Sequence, residues 1–191
     1  MRSLALAALA LISIGGARAL SAQATPPAAP PRTDVDARPA ERRVTIGGTT
    51  ISLRPSADGF QESTLTAPAA ALFAVLPQAF ADVGLKPQEL DQDAQQIGTG
   101  PFRAQYRLGK QRMSSLFDCG LDGMGLRQAD SYALSLRVTT QIVPEGTDRA
   151  TVRTLVQAMG RPQSNSGNEL HCPSLGVLER KLAEAIAARA R

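Results

Sequence analysis

Two stretches decide the fold: Tyr132-Ala-Leu-Ser-Leu-Arg-Val-Thr-Thr-Gln-Ile142 and Ala150-Thr-Val-Arg-Thr-Leu-Val-Gln-Ala-Met159. In the first, mostly apolar residues alternate with mostly polar ones, and the second alternates in its central part. Successive side chains of a strand point to opposite faces, so each stretch predicts a strand with one buried and one solvated face. Turn-forming residues fill the interval from Pro144 to Asp148. The two stretches therefore predict a long antiparallel hairpin.

Shorter alternating segments predict further strands on the N-terminal side. Around Gly47-Gly48, the residues from Arg43 to Leu53 have the chemistry of a β-hairpin. The other predicted strands cover 61–65, 85–90, 94–98 and 102–108.

Two segments have the three- and four-residue apolar spacing of helices. The first covers Ala67 to Val83 and is followed by Gly84, the residue expected just past a helix end. Pro77 within it predicts a kink or a break. The second follows Pro173 and Ser174 near the C-terminus. Its predicted stripe is Leu175, Leu178, Leu182 and Ile186, and the residues predicted on the opposite face are Glu179, Arg180 and Glu184.

The order of these elements predicts an α+β fold. Each strand has one apolar face and each helix one apolar stripe to bury. An antiparallel β-sheet with two helices packed on one face, preceded by a β-hairpin, satisfies both requirements.

The N-terminal residues predict export. Arg2 precedes an apolar run from Leu4 to Ile14, which is shorter than the roughly 20 residues that a membrane-spanning helix needs. Small-residue cleavage sites follow, and we expect cleavage after Ala24. The prediction is a signal peptide over 1–24, a Pro/Ala-rich disordered tether over 25–41 and a single disulfide-stapled domain over 42–191. No cysteine near Ala24 could carry a lipid, so we expect a soluble periplasmic or secreted protein without a membrane anchor.

Composition points to no particular partner. The formal net charge of +4 falls by two once Arg2 and Arg18 are removed with the signal peptide. A charge this small gives no support to nucleic-acid binding, and we expect none.

Cys119 and Cys172 are the two cysteines of the chain. Exported proteins keep disulfides, so we expect a bond between them, with free or redox-active thiols as the alternative. His171, beside Cys172, also permits a Cys-His pair or a metal site with Asp118 or Asp122. Adjacent residues of an extended segment point apart, and a single histidine does not fit the usual zinc site. We therefore expect no catalytic residue, no metal and no cofactor.

The Gly-rich segment from Cys119 to Leu126 could be compared with a phosphate-binding loop. Such a loop lies between a strand and the N-terminus of a helix, whereas a strand is predicted to follow here. We expect a flexible turn beside the disulfide.

A basic stretch is the remaining candidate for binding. Arg103, Arg107, Lys110 and Arg112 have Phe102 and Tyr106 between them, a pattern that could contact an anionic surface. A solvated strand face above a buried aromatic row explains the same residues.

The segments VLPQAFADVGL (75–85) and CPSLGVLERKLAEAI (172–186) and the order of elements resemble the helix-grip domain of outer-membrane assembly lipoproteins of the BamC type. The resemblance covers roughly residues 60 to 190. It implies a helix gripped by an antiparallel sheet and a role in the cell envelope. The chain departs from that family in lacking a lipoprotein cysteine and in having room for one such domain.

We expect an exported, non-enzymatic cell-envelope protein with a protein-interaction domain, whose partner would be an envelope protein. The alternative is a periplasmic carrier of a small apolar ligand held between helix and sheet. A hydrolase that uses a Cys-His pair is the third hypothesis.

Overall fold

A computed structural model describes residues 42–46, 49–162 and 168–191. The predicted signal peptide (1–24) and tether (25–41) lie outside the described residues, as does much of a predicted polar loop over 160–170. The strands are β1 (Arg42–Ile46), β2 (Thr49–Pro55), β3 (Gln61–Leu65), β4 (Glu89–Asp91), β5 (Gln96–Gly98), β6 (Phe102–Gln105), β7 (Arg107–Leu108), β8 (Gln111–Arg112), β9 (Ala133–Pro144), β10 (Ala150–Arg161) and β11 (Leu170–His171). The helices are α1 (Ala69–Asp82) and α2 (Val177–Arg189).

Strands β9 and β10 form the centre of the sheet, which confirms the predicted long hairpin. They pair antiparallel over their whole length, from Ala150 opposite Pro144 to Arg161 opposite Ala133. Alternate residues of both strands are buried: Leu134, Leu136, Val138, Thr140, Ile142, Ala150, Val152, Thr154, Val156 and Ala158. The opposite side of the hairpin, called here the open face, carries mostly polar side chains such as Ser135, Arg137 and Gln157.

The other strands extend the sheet from the two edges of this hairpin. The order is β1-β2-β3-β10-β9-β6-β7-β8, and β11 also pairs with β10. Strand β5 pairs with β9 next to the position of β6, and β4 pairs with β5. Strands β1 and β2 are antiparallel, with Val44 opposite Ile51, so the predicted β-hairpin at the start of the described residues is confirmed.

The single strand predicted over 102–108 is wrong. Tyr106 has a φ of 61°, in the left-handed region that non-glycine residues rarely occupy. The chain turns there and pairs back on itself, with Gln105 opposite Arg107. Tyr106 is 56% exposed, so the predicted buried aromatic row is limited to Phe102, which packs against the core.

A kink or a break was predicted at Pro77. Helix α1 continues through this residue, so the predicted break is wrong. Pro77 removes one backbone hydrogen bond, but the buried residues on either side hold both halves against the core: Leu72, Leu76, Ala79 and Phe80. The predicted C-terminal glycine is confirmed. Gly84 has a φ of 83°, and its N–H bonds to Ala81 O while the Leu85 N–H bonds to Phe80 O, as in a Schellman motif.

Helix α2 buries a wider surface than its sequence pattern predicts. Leu178, Leu182 and Ile186 are buried as expected, whereas Leu175 precedes the helix and is 40% exposed. Glu179, predicted on the outer face, is 3% exposed. The buried stripe also includes Ala183 and Ala187, since α2 contacts both α1 and strands of the sheet.

Both helices pack on the apolar face of the sheet, as predicted. Helix α1 contacts β9 and β5, and α2 contacts β10, β2 and β3. The helices also contact each other. Among the described residues, no helix combines the length and apolarity required to cross a membrane.

Leu182→Ala should lower the free energy of unfolding by about 2 to 5 kcal/mol, because this side chain is fully buried between α2 and the core. Leu90→Ala makes the same truncation at a residue that is 58% exposed and should change it by less than about 0.5 kcal/mol. Urea unfolding followed by circular dichroism measures both. Equal losses in the two variants would contradict the packing described here.

Candidate functional site

Cys119 and Cys172 form a disulfide, with an S–S distance of 2.06 Å and Cα atoms 4.4 Å apart. The predicted pairing is therefore present. Cys172 follows β11 and Cys119 follows the 3₁₀ turn of Met113–Ser115, so the bond joins two segments that are 53 residues apart in sequence. The Asp118 N–H also bonds to Pro173 O, which adds a backbone contact beside the disulfide.

Gly160 of β10 lies directly against this disulfide. A methyl group placed on its Cα would lie 3.0 Å from Cys172 Sγ and 3.1 Å from the Tyr132 ring. Only glycine fits that space without displacing the sulfur or the ring. This requirement depends on the folded arrangement, so the sequence offers no signal for it.

The disulfide argues against the hypothesis that Cys172 and His171 form a catalytic pair. Cys172 Sγ is bonded to Cys119 Sγ and cannot act as a thiolate nucleophile while that bond is intact. His171 is exposed on β11. Within the described ranges, no three His, Cys, Asp or Glu side chains come together in a way that could hold a metal ion.

The Gly-rich segment forms a turn beside the disulfide, as expected. Asp122 holds it: its Oδ1 accepts hydrogen bonds from the Met124 N–H (2.9 Å) and the Leu126 N–H (2.8 Å). Leu121, Met124 and Leu126 are each more than 60% exposed. The segment is followed by a 3₁₀ turn (Gln128–Asp130) and then β9, which is not the geometry of a phosphate-binding loop.

Cations on the open face of the sheet are neutralised by nearby acids. The Arg153 guanidinium bonds to Asp58 (2.6 Å) and Glu62 (3.0 Å) and lies over the Phe60 ring, 4.5 Å from its centroid. Arg137 pairs with Glu89 at 2.6 Å, and Arg161 with Glu169 at 2.7 Å. This face therefore presents little uncompensated charge.

The basic stretch differs from the open face in the pairing of its cations. Arg103, Arg107, Lys110 and Arg112, here called the basic edge, lie on or between β6, β7 and β8 at one end of the sheet. All four are exposed, and none has an ion-pair partner among the described residues. Exposed cations that form no ion pair can attract an anionic partner.

Three open clefts surround the basic edge. The first, called here the slot, has a volume of about 430 Å³. Its lining is Gly84, Lys86, Gln88, Phe102, Arg103, Ala104, Gln105, Arg107 and Leu108. Arg107 also lines the second cleft, together with Arg112, Tyr106 and Asp130. Arg107 thus connects the two clefts.

Lys110 lines the third cleft, between the α1 end, α2 and the β7–β8 turn. Asp82 in the same cleft is bonded to Arg189, with distances of 2.6 and 2.8 Å. These hydrogen bonds hold the pKa of Asp82 below its ordinary value. Asp82 is therefore already compensated by Arg189.

Glu179 is a buried carboxyl group in the first turn of α2. Its Oε2 has no hydrogen-bond partner among the residues that the structure describes. Burial raises the pKa of Glu179, against the opposing effect of hydrogen bonds from Ser174 and from its own backbone N–H. The folded protein therefore favours the neutral form of this group.

The structure brings together residues that sequence reasoning treated separately. Cys119 and Cys172 meet, and Arg103 and Arg107 line one slot. Lys86 and Gln88 also line it, although they precede β4 and were not among the predicted site residues. The position of Lys86 and Gln88 in the slot depends on the pairing of β4 with β5 and of β5 with β9, and no local sequence pattern reveals that pairing.

Replacing both Cys119 and Cys172 with Ala should lower the free energy of unfolding by about 2 to 5 kcal/mol, because the bond restrains a long loop of the unfolded chain. Mass spectrometry of the purified protein with an alkylating reagent should find no modified thiol before reduction and two afterwards. Two alkylated thiols without reductant would show that the bond does not form.

Glu179→Gln should stabilise the protein increasingly as the pH rises from 4 to 7. Burial raises the pKa of Glu179 above its ordinary value in the folded state. Its contribution to stability is complete below the unfolded pKa and is lost as the pH rises through the folded pKa, a loss that Gln avoids. Urea unfolding at several pH values measures the difference. Glu184→Gln is the control, since Glu184 pairs with Arg180 at 3.0 Å, and a similar gain there would contradict the assignment.

Neither the protein-family models nor the curated proteins compared with this chain give a match.

Proposed function

We propose that this chain is an exported, non-enzymatic cell-envelope protein whose domain binds a protein partner through the basic edge. The observation that carries the proposal is the contrast between the two sets of cations. On the open face Arg137, Arg153 and Arg161 are paired with acids, whereas no acid in the described part of the chain pairs with the four cations of the basic edge. The partner would present acidic side chains to this edge.

Export is supported by the N-terminal pattern and by the disulfide. The apolar run behind Arg2 has the length of a signal peptide. The Cys119–Cys172 bond fits an oxidising compartment such as the periplasm or the exterior of the cell. The resemblance to assembly lipoproteins of the BamC type stays a prediction, and its implied role in the envelope agrees with the same location.

The exposure of the basic edge favours a reversible, salt-dependent contact. Exposed charge pairs contribute about 0.2 to 1 kcal/mol each, so several are needed for measurable affinity. Complementary charge also accelerates association and selects among partners. A surface of this kind suits recognition of an acidic protein more than permanent assembly, which buries a larger apolar area.

The carrier of a small apolar ligand stays a prediction and is not adopted. The three clefts around the basic edge are open, and each is lined by charged side chains. The α2 side chains that face the sheet, Leu178, Leu182 and Ile186, are 2% exposed or less.

Arg107→Ser with Arg112→Ser should weaken binding to a fluorescent poly-glutamate peptide about threefold to tenfold, because two exposed charge contacts are lost. The full change of Arg103, Arg107, Lys110 and Arg112 to Ser should abolish it. Fluorescence anisotropy at low and physiological salt measures both, and crosslinking in native envelopes recovers the natural partner.

Arg127→Ser with Arg149→Ser is the matched control. These two arginines are exposed and lack ion-pair partners among the described residues, neither of them lines one of the three clefts, and the variant has the same net charge. Equal weakening by both pairs of changes would show that only net charge matters and would overturn the proposal.

A further inference from the structure

The slot occupies a gap in the sheet, between β6 and the segment that leads from α1 to β4. Residues Phe102 to Gln105 form one wall, and Gly84 to Gln88 contribute the other. On the side away from β9, the recorded pairing of β6 is that of Gln105 with Arg107. Pro87 and Pro101 both lack a backbone N–H, so the ladder of β4 with β5 cannot continue through them into this gap.

Two close backbone contacts involve residues that line the slot. In one, the Gln88 N–H bonds to Gly98 O at 2.8 Å. In the other, Gly84 lies so close to Gly109 that a methyl group on Gly84 would be 3.2 Å from the Gly109 Cα.

The lining combines positive charge with an apolar wall. Lys86, Arg103 and Arg107 are exposed cations, and none of the described residues that line the slot is acidic. Gln88 and Gln105 add amide groups that can donate hydrogen bonds. Phe102, Ala104 and Leu108 supply apolar surface. A volume of about 430 Å³ lies within the range of small-molecule sites.

We infer that the slot binds a terminal carboxylate attached to an apolar group. The three cations and two amides would hold the carboxylate oxygens, since arginine binds carboxylates with two parallel hydrogen bonds. The attached apolar group would lie against Phe102 and Leu108. A volume of about 430 Å³ suits the end of a chain or a small acid.

Two sources have this chemistry: the C-terminal carboxylate of a partner protein and a free organic acid. If the carboxylate is the C-terminus of a partner protein, the slot is the point at which that partner is recognised, and the proposed function becomes more specific. That reading rests on the proposed function, whereas binding of a free organic acid does not.

The experiment uses the full mature chain and four probes in a ¹⁵N-labelled NMR titration. The probes are an acetylated Ala-Ala-Leu peptide with a free C-terminus, the same peptide with a C-terminal amide, phenylacetate and inorganic phosphate. We expect the free-acid peptide to shift the backbone amide signals of Lys86, Arg103 and Arg107. The amidated peptide should bind at least about tenfold more weakly, because the charge-assisted hydrogen bonds are lost.

Gln105→Glu places a negative charge in the slot at an exposed residue and should weaken binding of the free-acid peptide about tenfold or more. Gln157→Glu is the matched control, because Gln157 is exposed on β10 and does not line the slot. We expect that variant to bind as the wild type does. Matching thermal unfolding curves for the two variants would separate loss of binding from loss of fold.

The outcomes distinguish a protein C-terminus from a free organic acid, and they distinguish failure of the slot inference from failure of the proposed function. Binding of the free-acid peptide without phenylacetate supports a chain end, and binding of both supports carboxylate recognition in general. Equal binding of the acid and the amide, or phosphate binding as tightly as the free-acid peptide, overturns the inference. Poly-glutamate binding that depends on Arg107 and Arg112, with no probe entering the slot, would leave the proposed function standing and remove the slot from it.

Discussion

The full-length pairing of β9 with β10 is the constraint on which the rest of the structure depends. Side chains alternate along a strand, so this register decides which residues face the helices. A shift by one residue would expose Leu134 and Val138 and bury Arg137. Because the register is fixed, α1 and α2 have one continuous apolar surface to cover, and the shorter strands extend from the two edges of the hairpin.

Much of the fold could be predicted because its signals are local. The alternation of β9 and β10, the α1 stripe and Gly84 after that helix are all visible within short windows of sequence. Features that depend on packing between distant segments were not predictable. Tyr106 adopts a left-handed conformation where β6 ends, and Glu179 is buried because α2 is enclosed from two sides. The continuity of α1 through Pro77 likewise depends on its tertiary contacts.

The candidate site could likewise be predicted only in part, because some of its features have local sequence signals and others depend on packing between distant segments. The predicted export signal and a count of two cysteines were sufficient to predict the disulfide, and the basic stretch was visible as a run of residues. The grouping of Arg103 and Arg107 with Lys86 arises only from the sheet order. The distribution of charge also arises from the sheet order. Asp58, Glu62 and the other acids of the open face lie beside the cations of that face and not beside those of the basic edge. The small net charge of the chain conceals this separation.

The disulfide also changes the covalent topology of the chain. It closes a ring that contains both central strands and the exposed β9–β10 turn, where Arg149 offers a site for a trypsin-like protease. A single cut in that turn opens the ring without dividing the molecule, because Cys119 still joins the two fragments. The helices and the outer strands therefore stay on one covalent molecule after such a cleavage.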